Sequence, residues 1–189
     1  MNTSPHAELS DLQSVFDLAA GDLASSGIAC LLIGGFAVNH YGYTRNTLDI
    51  DWMIASDNKD DVRRIMAQAG FTNVAVHENV TFFNRPGSPL RVDFLHVDGQ
   101  TLAQLLARAS SVVLYGRIVR APSLRDLLAM KFFALAQAPE RRMDKDLPDI
   151  AYLSILNNLD PERDLHPLAQ RYATEALFQK VCEKIRGLQ

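Results

Sequence analysis

The chain has little that would mark it for an unusual environment. Its 189 residues include only two cysteines, Cys30 and Cys182, too few and too far apart for a disulfide framework. A reducing cytoplasm is the expected location, and Cys30, set in an apolar run, reads as a small buried hydrophobe. The longest apolar run, Gly27 to Val38, is shorter than the roughly 20 residues a membrane helix needs and contains a glycine pair, so no membrane association is expected. The stretch Met1-Asn2-Thr3-Ser4-Pro5 has no basic region and no apolar region of the kind a secretory leader carries. There is no excess of positive charge either: 19 Lys and Arg face 22 Asp and Glu, for a net charge of −3. That balance, with a pI near 5.9, argues against general nucleic-acid affinity. Only a local basic face drawn from Arg117, Arg120, Arg125, Arg141 and Arg142 stays open. Repeats and low-complexity tracts are missing. A Gly-Lys-Ser/Thr sequence is absent, which excludes an ordinary P-loop, and without Gly-x-Gly-x-x-Gly a Rossmann dinucleotide site is not expected. His77 and His96 lack the partner spacing of a zinc site.

What is present is an ordinary globular composition, 48% hydrophobic and 22% charged, enough for one packed domain with a helical appendage. Helical periodicity covers residues 7–26, with Leu9, Leu12, Val15, Phe16, Leu18, Ala19 and Leu23 on one face. Ile28 to Ile33 is a continuously apolar strand, and Ala37 to Tyr41 a helical turn after Gly34-Gly35. Thr47 to Ala55 reads as a second strand. A helix over 58–69 follows, with Ser56-Asp57 as its expected N-cap and Gly70 at its end. Phe71 to His77 and Val80 to Asn84 suit a hairpin, and Leu90 to Val97 a further strand. Leu102 to Arg108 reads as a helix. Val112 to Tyr115 and Ile118 to Val119 form a hairpin about Gly116. From Ser123 the pattern turns helical: 124–137 behind a Ser123…Asp126 capping box, Asp149 to Leu156, and one or two helices over 168–186. The charged stretch Ala138 to Asp149 reads either as a loop or as a charged helix start. The expected class is α+β, a small mixed sheet flanked by helices. The expected division is an α/β core over 1–122 and a helical portion over 123–189 packed on it.

The chemistry gathers in four short segments. Gly34-Gly35 follows an apolar strand, where glycine lets backbone amides come close to phosphate oxygens. Asp49 and Asp51 alternate within Leu48, Ile50, Trp52, Met53 and Ile54, a β-favouring run in which Asp is normally depleted. Side chains two apart share a strand face. Two like charges there repel, and a divalent cation offsets the repulsion. Asp93, in Leu90-Arg91-Val92-Asp93-Phe94-Leu95, supplies a third carboxylate. Oxygen donors of this kind suit Mg²⁺ or Mn²⁺, and two such ions hold an attacking hydroxyl and a leaving phosphate in line. The competing reading of Asp93 is an ion pair with Arg91 on the same face. Finally, Lys131 interrupts Leu127, Leu128, Ala129, Met130, Phe132 and Phe133, so its stem is buried and its head aimed at something.

Taken together, Gly34-Gly35, then Asp49-x-Asp51, then Asp93 resemble the signature of the polymerase-β-like nucleotidyltransferase superfamily. Gly42, Arg45 and Thr47 make the stretch similar to the minimal bacterial members of the abortive-infection and toxin–antitoxin type. The resemblance implies metal-dependent transfer of a nucleoside monophosphate from an NTP, ATP among them, to a hydroxyl. Asp49, Asp51 and Asp93 would be the catalytic and metal-binding set. Gly34, Gly35, Arg45, Thr47, Lys131, Lys145 and Asp146 would bind the nucleotide, the lysines meeting triphosphate oxygens. Phe36 stands where many toxin-type relatives carry Ser or Thr, a departure in the glycine loop. The acceptor is open: an RNA end such as that of tRNA, a small molecule or a protein side chain. A cognate antitoxin or toxin is a further expected partner. The alternative is a non-catalytic, antitoxin-like module that keeps the fold to bind a partner. A metal-dependent phosphohydrolase ranks below both, for want of His-Asp ligand pairs.

Overall fold

The computed structural model describes the backbone of residues 5–47 and 49–189, and the side chains of residues 12–47 and 49–189. The reading of the first four residues as leaderless, the side chain of Leu9 and the position of Leu48 lie outside the described residues. The chain packs as two compact units. One holds the residues up to Phe36 together with Asn46–Pro122, and the other holds Ala37–Arg45 with Ser123–Gln189. Residues 37–45, placed by the sequence reading within the 1–122 core, thus belong with the helices.

The first unit is built on one mixed sheet of seven strands: β1 Leu31–Ile33, β2 Asp49–Ala55, β3 Asn73–Val76, β4 Val80–Asn84, β5 Arg91–Val97, β6 Ser110–Leu114 and β7 Arg117–Ala121. Their spatial order is β3-β4-β5-β2-β1-β7-β6. β2 and β5 run parallel, as do β1 and β7, and the other neighbouring pairs are antiparallel. Helices α1 Pro5–Leu18, α3 Lys59–Gln68 and α4 Gly99–Arg108 complete the unit, and α2 Gly34–His40 begins in it. The α+β reading with a mixed sheet agrees with this architecture.

Strand alternation decides which face is core. Ile50, Trp52 and Ile54 of β2 and Val92 and Phe94 of β5 are buried with Val15 and Phe16 of α1 and Val62, Ile65 and Met66 of α3. The Phe16 ring lies 5.7 Å from Trp52 in an edge-on contact. The odd-numbered residues of β2 and β5 therefore occupy the other face, as the period of two requires. Two expectations are corrected. The strand expected from Ile28 begins only at Leu31. The expected Ser56-Asp57 cap is instead a 3₁₀ turn over Ser56–Asn58, and the following helix has no side-chain cap.

The second unit is helical, with α5 Leu124–Gln137, α6 Pro139–Leu156, α7 His166–Tyr172 and α8 Glu175–Arg186. Ser123 caps α5 by accepting from the Asp126 amide. Its core joins Leu127, Leu128, Phe132 and Leu135 of α5, Ile150 and Leu153 of α6, and Phe178, Val181 and Ile185 of α8 with Ala37 and Val38. The charged stretch after Ala138 is a helix start, continuous through Pro148.

Candidate active site

Parallel pairing of β2 with β5 places Asp49 beside Arg91 and Asp51 beside Asp93. All four share the sheet face opposite the core. Adjacent strands lie roughly 4.8 Å apart, so Asp51 and Asp93 are immediate like-charged neighbours. The guanidinium of Arg91 answers that repulsion. Its Nε donates to Asp93 Oδ1 at 2.8 Å and its Nη2 to Asp93 Oδ2 at 2.9 Å. The same Nη2 reaches Asp49 Oδ2 at 2.8 Å. The Arg91–Asp93 ion pair weighed from sequence is present, and it extends to Asp49. Burial pushes the Asp93 carboxyl up to about 6, with Asp51 and Asp49 adding to the rise and Arg91 opposing it. Arg91 is held above its ordinary value, chiefly by its hydrogen bond to Asp93.

The glycine pair is fitted to this face. β1 is antiparallel to β2, with Ile33 opposite Asp51, so the chain leaving β1 passes the Asp51 carboxylate at once. Gly34 has φ +64°, and a Cβ there would overlap Asp51 Oδ2 and lie 2.5 Å from its Cγ. A Cβ on Gly35 would stand 2.6 Å from Thr47 Oγ1. Thr47 Oγ1 donates to the carbonyl of Asp49 at 3.1 Å, fixing the entry to β2. Gly34, Gly35, Thr47, Asp49, Asp51 and Asp93 therefore form one group in the first unit.

The other expected nucleotide contacts lie in the second unit. Arg45 is bracketed by the Asn39 side chain, which donates to its carbonyl and accepts from its amide, both at 3.1 Å. Its guanidinium donates to both oxygens of Asp149, at 2.8 and 3.1 Å. Lys131 Nζ lies 2.7 Å from Asp146 Oδ1 and 2.7 Å from Asp149 Oδ2. Lys131, Asp146 and Asp149 are all buried, a situation tolerable for charges only when they are paired. Arg142 approaches Asp146 Oδ2 at 3.5 Å. The buried head of Lys131 is thus directed at two carboxylates of α6, and Lys145 is half-buried one position before Asp146. Asp149 and Asn39 were given no contact or catalytic role from the sequence. The signal for Asp149 was its spacing: Asp146 and Asp149 are both buried on α6, three residues apart and so about one turn.

Donor chemistry decides whether these residues fit a divalent metal. Asp49, Asp51 and Asp93 offer hard oxygens on one rigid face, matching Mg²⁺ or Mn²⁺. The Arg91 guanidinium between Asp49 and Asp93 is itself a cation in the place such an ion would take. Among the described residues no group of three or more His, Cys, Asp or Glu side chains stands placed to hold a metal ion. The three aspartates match such an ion by donor chemistry, while Asp49 and Asp93 are engaged by Arg91.

No protein-family model matches the chain, and no curated protein matches it significantly. Solved structures do. An antigenic nucleotidyltransferase-like protein from Paracoccidioides brasiliensis aligns over 92% of this chain and 93% of its own, at 19% identity and a TM-score of 0.54. The chain has the nucleotidyltransferase fold. ANT(2")-Ia, in complex with adenylyl-2"-tobramycin, shares that fold over 92% of this chain and 98% of its own, with 14% identity and a TM-score of 0.61. The lincomycin-bound lincosamide antibiotic adenylyltransferase LnuA aligns over 82% of this chain and 99% of its own, with 14% identity and a TM-score of 0.54. Within the nucleotidyltransferase fold of this chain, no described helix is long and apolar enough to cross a membrane.

Proposed function

We propose that the protein is a metal-dependent nucleotidyltransferase that moves a nucleoside monophosphate from an NTP to a hydroxyl acceptor. The carrying observation is the carboxylate set: Asp51 and Asp93 side by side, Asp49 on the same face, and Gly34 closed against Asp51. Asp49, Asp51 and Asp93 would hold Mg²⁺ or Mn²⁺, which when bound neutralises phosphate oxygens and orients the triphosphate. Asp93, the most buried of the three carboxylates, is the one we assign as the base for the acceptor hydroxyl. It takes the proton of the acceptor hydroxyl. The acceptor oxygen then bonds to the α-phosphorus as the bond from that phosphorus to pyrophosphate breaks, and pyrophosphate leaves with the bonding pair. Gly34 and Gly35 bring backbone close to the phosphates. Thr47 braces the strand that carries Asp49. We assign Arg45, Lys131 and Asp146 to the support of residues 37–45 through Asp149 rather than to direct triphosphate contact.

For the acceptor we place a small-molecule hydroxyl first. Two proteins similar in fold over nearly their whole length are ANT(2")-Ia, seen with adenylyl-2"-tobramycin, and a lincosamide antibiotic adenylyltransferase, and the net charge of −3 gives no general pull on RNA. An RNA end in a toxin–antitoxin or phage-defence setting ranks second, and a protein side chain third. The intact carboxylate set speaks against a non-catalytic, antitoxin-like module. The test is incubation with α-labelled NTPs, Mg²⁺, RNA and an aminoglycoside and lincosamide panel, followed by mass spectrometry of every fraction. Mg²⁺-dependent addition of a nucleoside monophosphate, lost in Asp51→Asn, supports the reading. Labelling equal in Asp51→Asn and wild type would contradict it.

A further inference from the structure

Among the described residues, Arg91 is the cation hydrogen-bonded to the carboxylate set. It engages both oxygens of Asp93 and one of Asp49 through charge-assisted hydrogen bonds, the strong class of such bonds. It joins the two carboxylates that would otherwise be open to a metal ion. Yet it is not locked in. Its side chain is 42% exposed while that of Asp93 is 8% exposed, so the guanidinium faces outward over a buried acid. It also lies 5.0 Å over the ring of Phe82, whose residue is the β4 register partner of Asp93. The Phe82 ring gives the cation an attractive contact apart from the carboxylates.

Resting on the nucleotidyltransferase reading above, we propose that Arg91 is a built-in counter-ion which a divalent metal must displace from Asp49 and Asp93, so that metal binding is coupled to the arrival of the nucleotide. Without nucleotide, the metal competes with a guanidinium already hydrogen-bonded to two of its three ligands. With nucleotide, the triphosphate offers the released guanidinium new anionic oxygens, and bidentate pairing with phosphate suits its planar fork. The triphosphate thereby lowers the cost of emptying the site. Arg91 acts through Asp49 and Asp93 and is a positioning residue of the metal site.

The experiment is Mn²⁺ binding by electron paramagnetic resonance at pH 8, on wild type and Arg91→Gln, each with and without α,β-methylene-ATP. Wild type should bind Mn²⁺ weakly alone and on the order of tenfold or more tightly with the nucleotide, within the usual range of coupled sites. Arg91→Gln should bind Mn²⁺ alone on the order of tenfold more tightly than wild type, with most of the nucleotide's effect gone. If wild type binds Mn²⁺ with nucleotide but Arg91→Gln matches it in all conditions, the counter-ion role is overturned and the enzymatic reading stands. If wild type binds no Mn²⁺ under either condition, both fall. A measurement on the unaltered protein keeps the test independent of how the variant folds. The Arg91 Nε–Hε resonance should be protected from exchange in the free protein and lose that protection when Mg²⁺ and nucleotide are added together. Protection unchanged on adding both overturns the proposal.

Discussion

Gly34 combines a left-handed backbone, φ +64°, with a space already filled by the Asp51 carboxylate. An L side chain in the left-handed region costs roughly 1–2 kcal/mol before any clash. Gly34→Ala should therefore lower stability by at least that amount in urea unfolding and weaken NTP binding, because Asp51 has to move. Gly21 is the contrast: nothing lies within 4 Å of a Cβ there, so Gly21→Ala should raise stability by roughly 0.5–1 kcal/mol. Asp93 carries a pH signature. Its carboxyl is raised from 3.8 to about 6, so the folded protein binds a proton that the unfolded chain releases between those values. Stability of the metal-free protein should fall as pH rises from about 4 to about 6, by no more than about 3 kcal/mol and less after solvent screening. The slope should flatten in Asp93→Asn, measured as Tm against pH, and Mn²⁺ affinity should climb through the same window as the proton is displaced. At this scale the gathering of the three aspartates was legible, because Asp49, Asp51 and Asp93 each sat in a β-favouring run. Arg91 was legible only as a competitor for Asp93. Nothing local to Leu90–Leu95 tells that its guanidinium also reaches Asp49, 42 residues away in the chain.

The two parallel strands β2 and β5 do at element scale what the aspartates cannot do alone. Their alternation was readable from Ile50, Trp52 and Ile54 against Asp49 and Asp51. Their register, Asp51 beside Asp93, depends on the hairpin and helix between them and is not written in either strand. In helix α6 the charged stretch before Asp149 fitted a loop as well as a helix start, and Pro148 within it lacks an amide and crowds the preceding turn. Yet Met143, Leu147 and Ile150 recur at helical spacing, and Asp146 and Asp149 occupy inward positions because Lys131 of α5 and Arg45 neutralise them. A charge that is buried with its partner keeps the helical period of an apolar residue. Among the described residues, Lys131→Met leaves Asp146 with Arg142 and Asp149 with Arg45. Breaking a buried pair this way costs about 3–5 kcal/mol, so the urea midpoint should drop sharply. A loss below about 1 kcal/mol would mean that the carboxylates have other support.

At the scale of the whole molecule the chain enters the helical unit twice, first with residues 37–45 and again from Ser123. A boundary drawn only where composition changes, at 122, separates Ala37 and Val38 from the helices that bury them. Residues 1–122 expressed alone should show no cooperative thermal transition, whereas the full chain should melt cooperatively with 37–45 in place. The change to helical composition was legible at Ser123. The early excursion was hidden because nine residues of unremarkable sequence do not reveal which core they fill. The central claim is that Asp49, Asp51 and Asp93 together bind a metal and an NTP. Isothermal titration of wild type with α,β-methylene-ATP, in Mg²⁺ and in EDTA, tests it most directly, with Asp49→Asn as the control. The account predicts one nucleotide per chain, bound only when Mg²⁺ is present and lost in Asp49→Asn. Equal nucleotide binding in EDTA, or by Asp49→Asn, would contradict it.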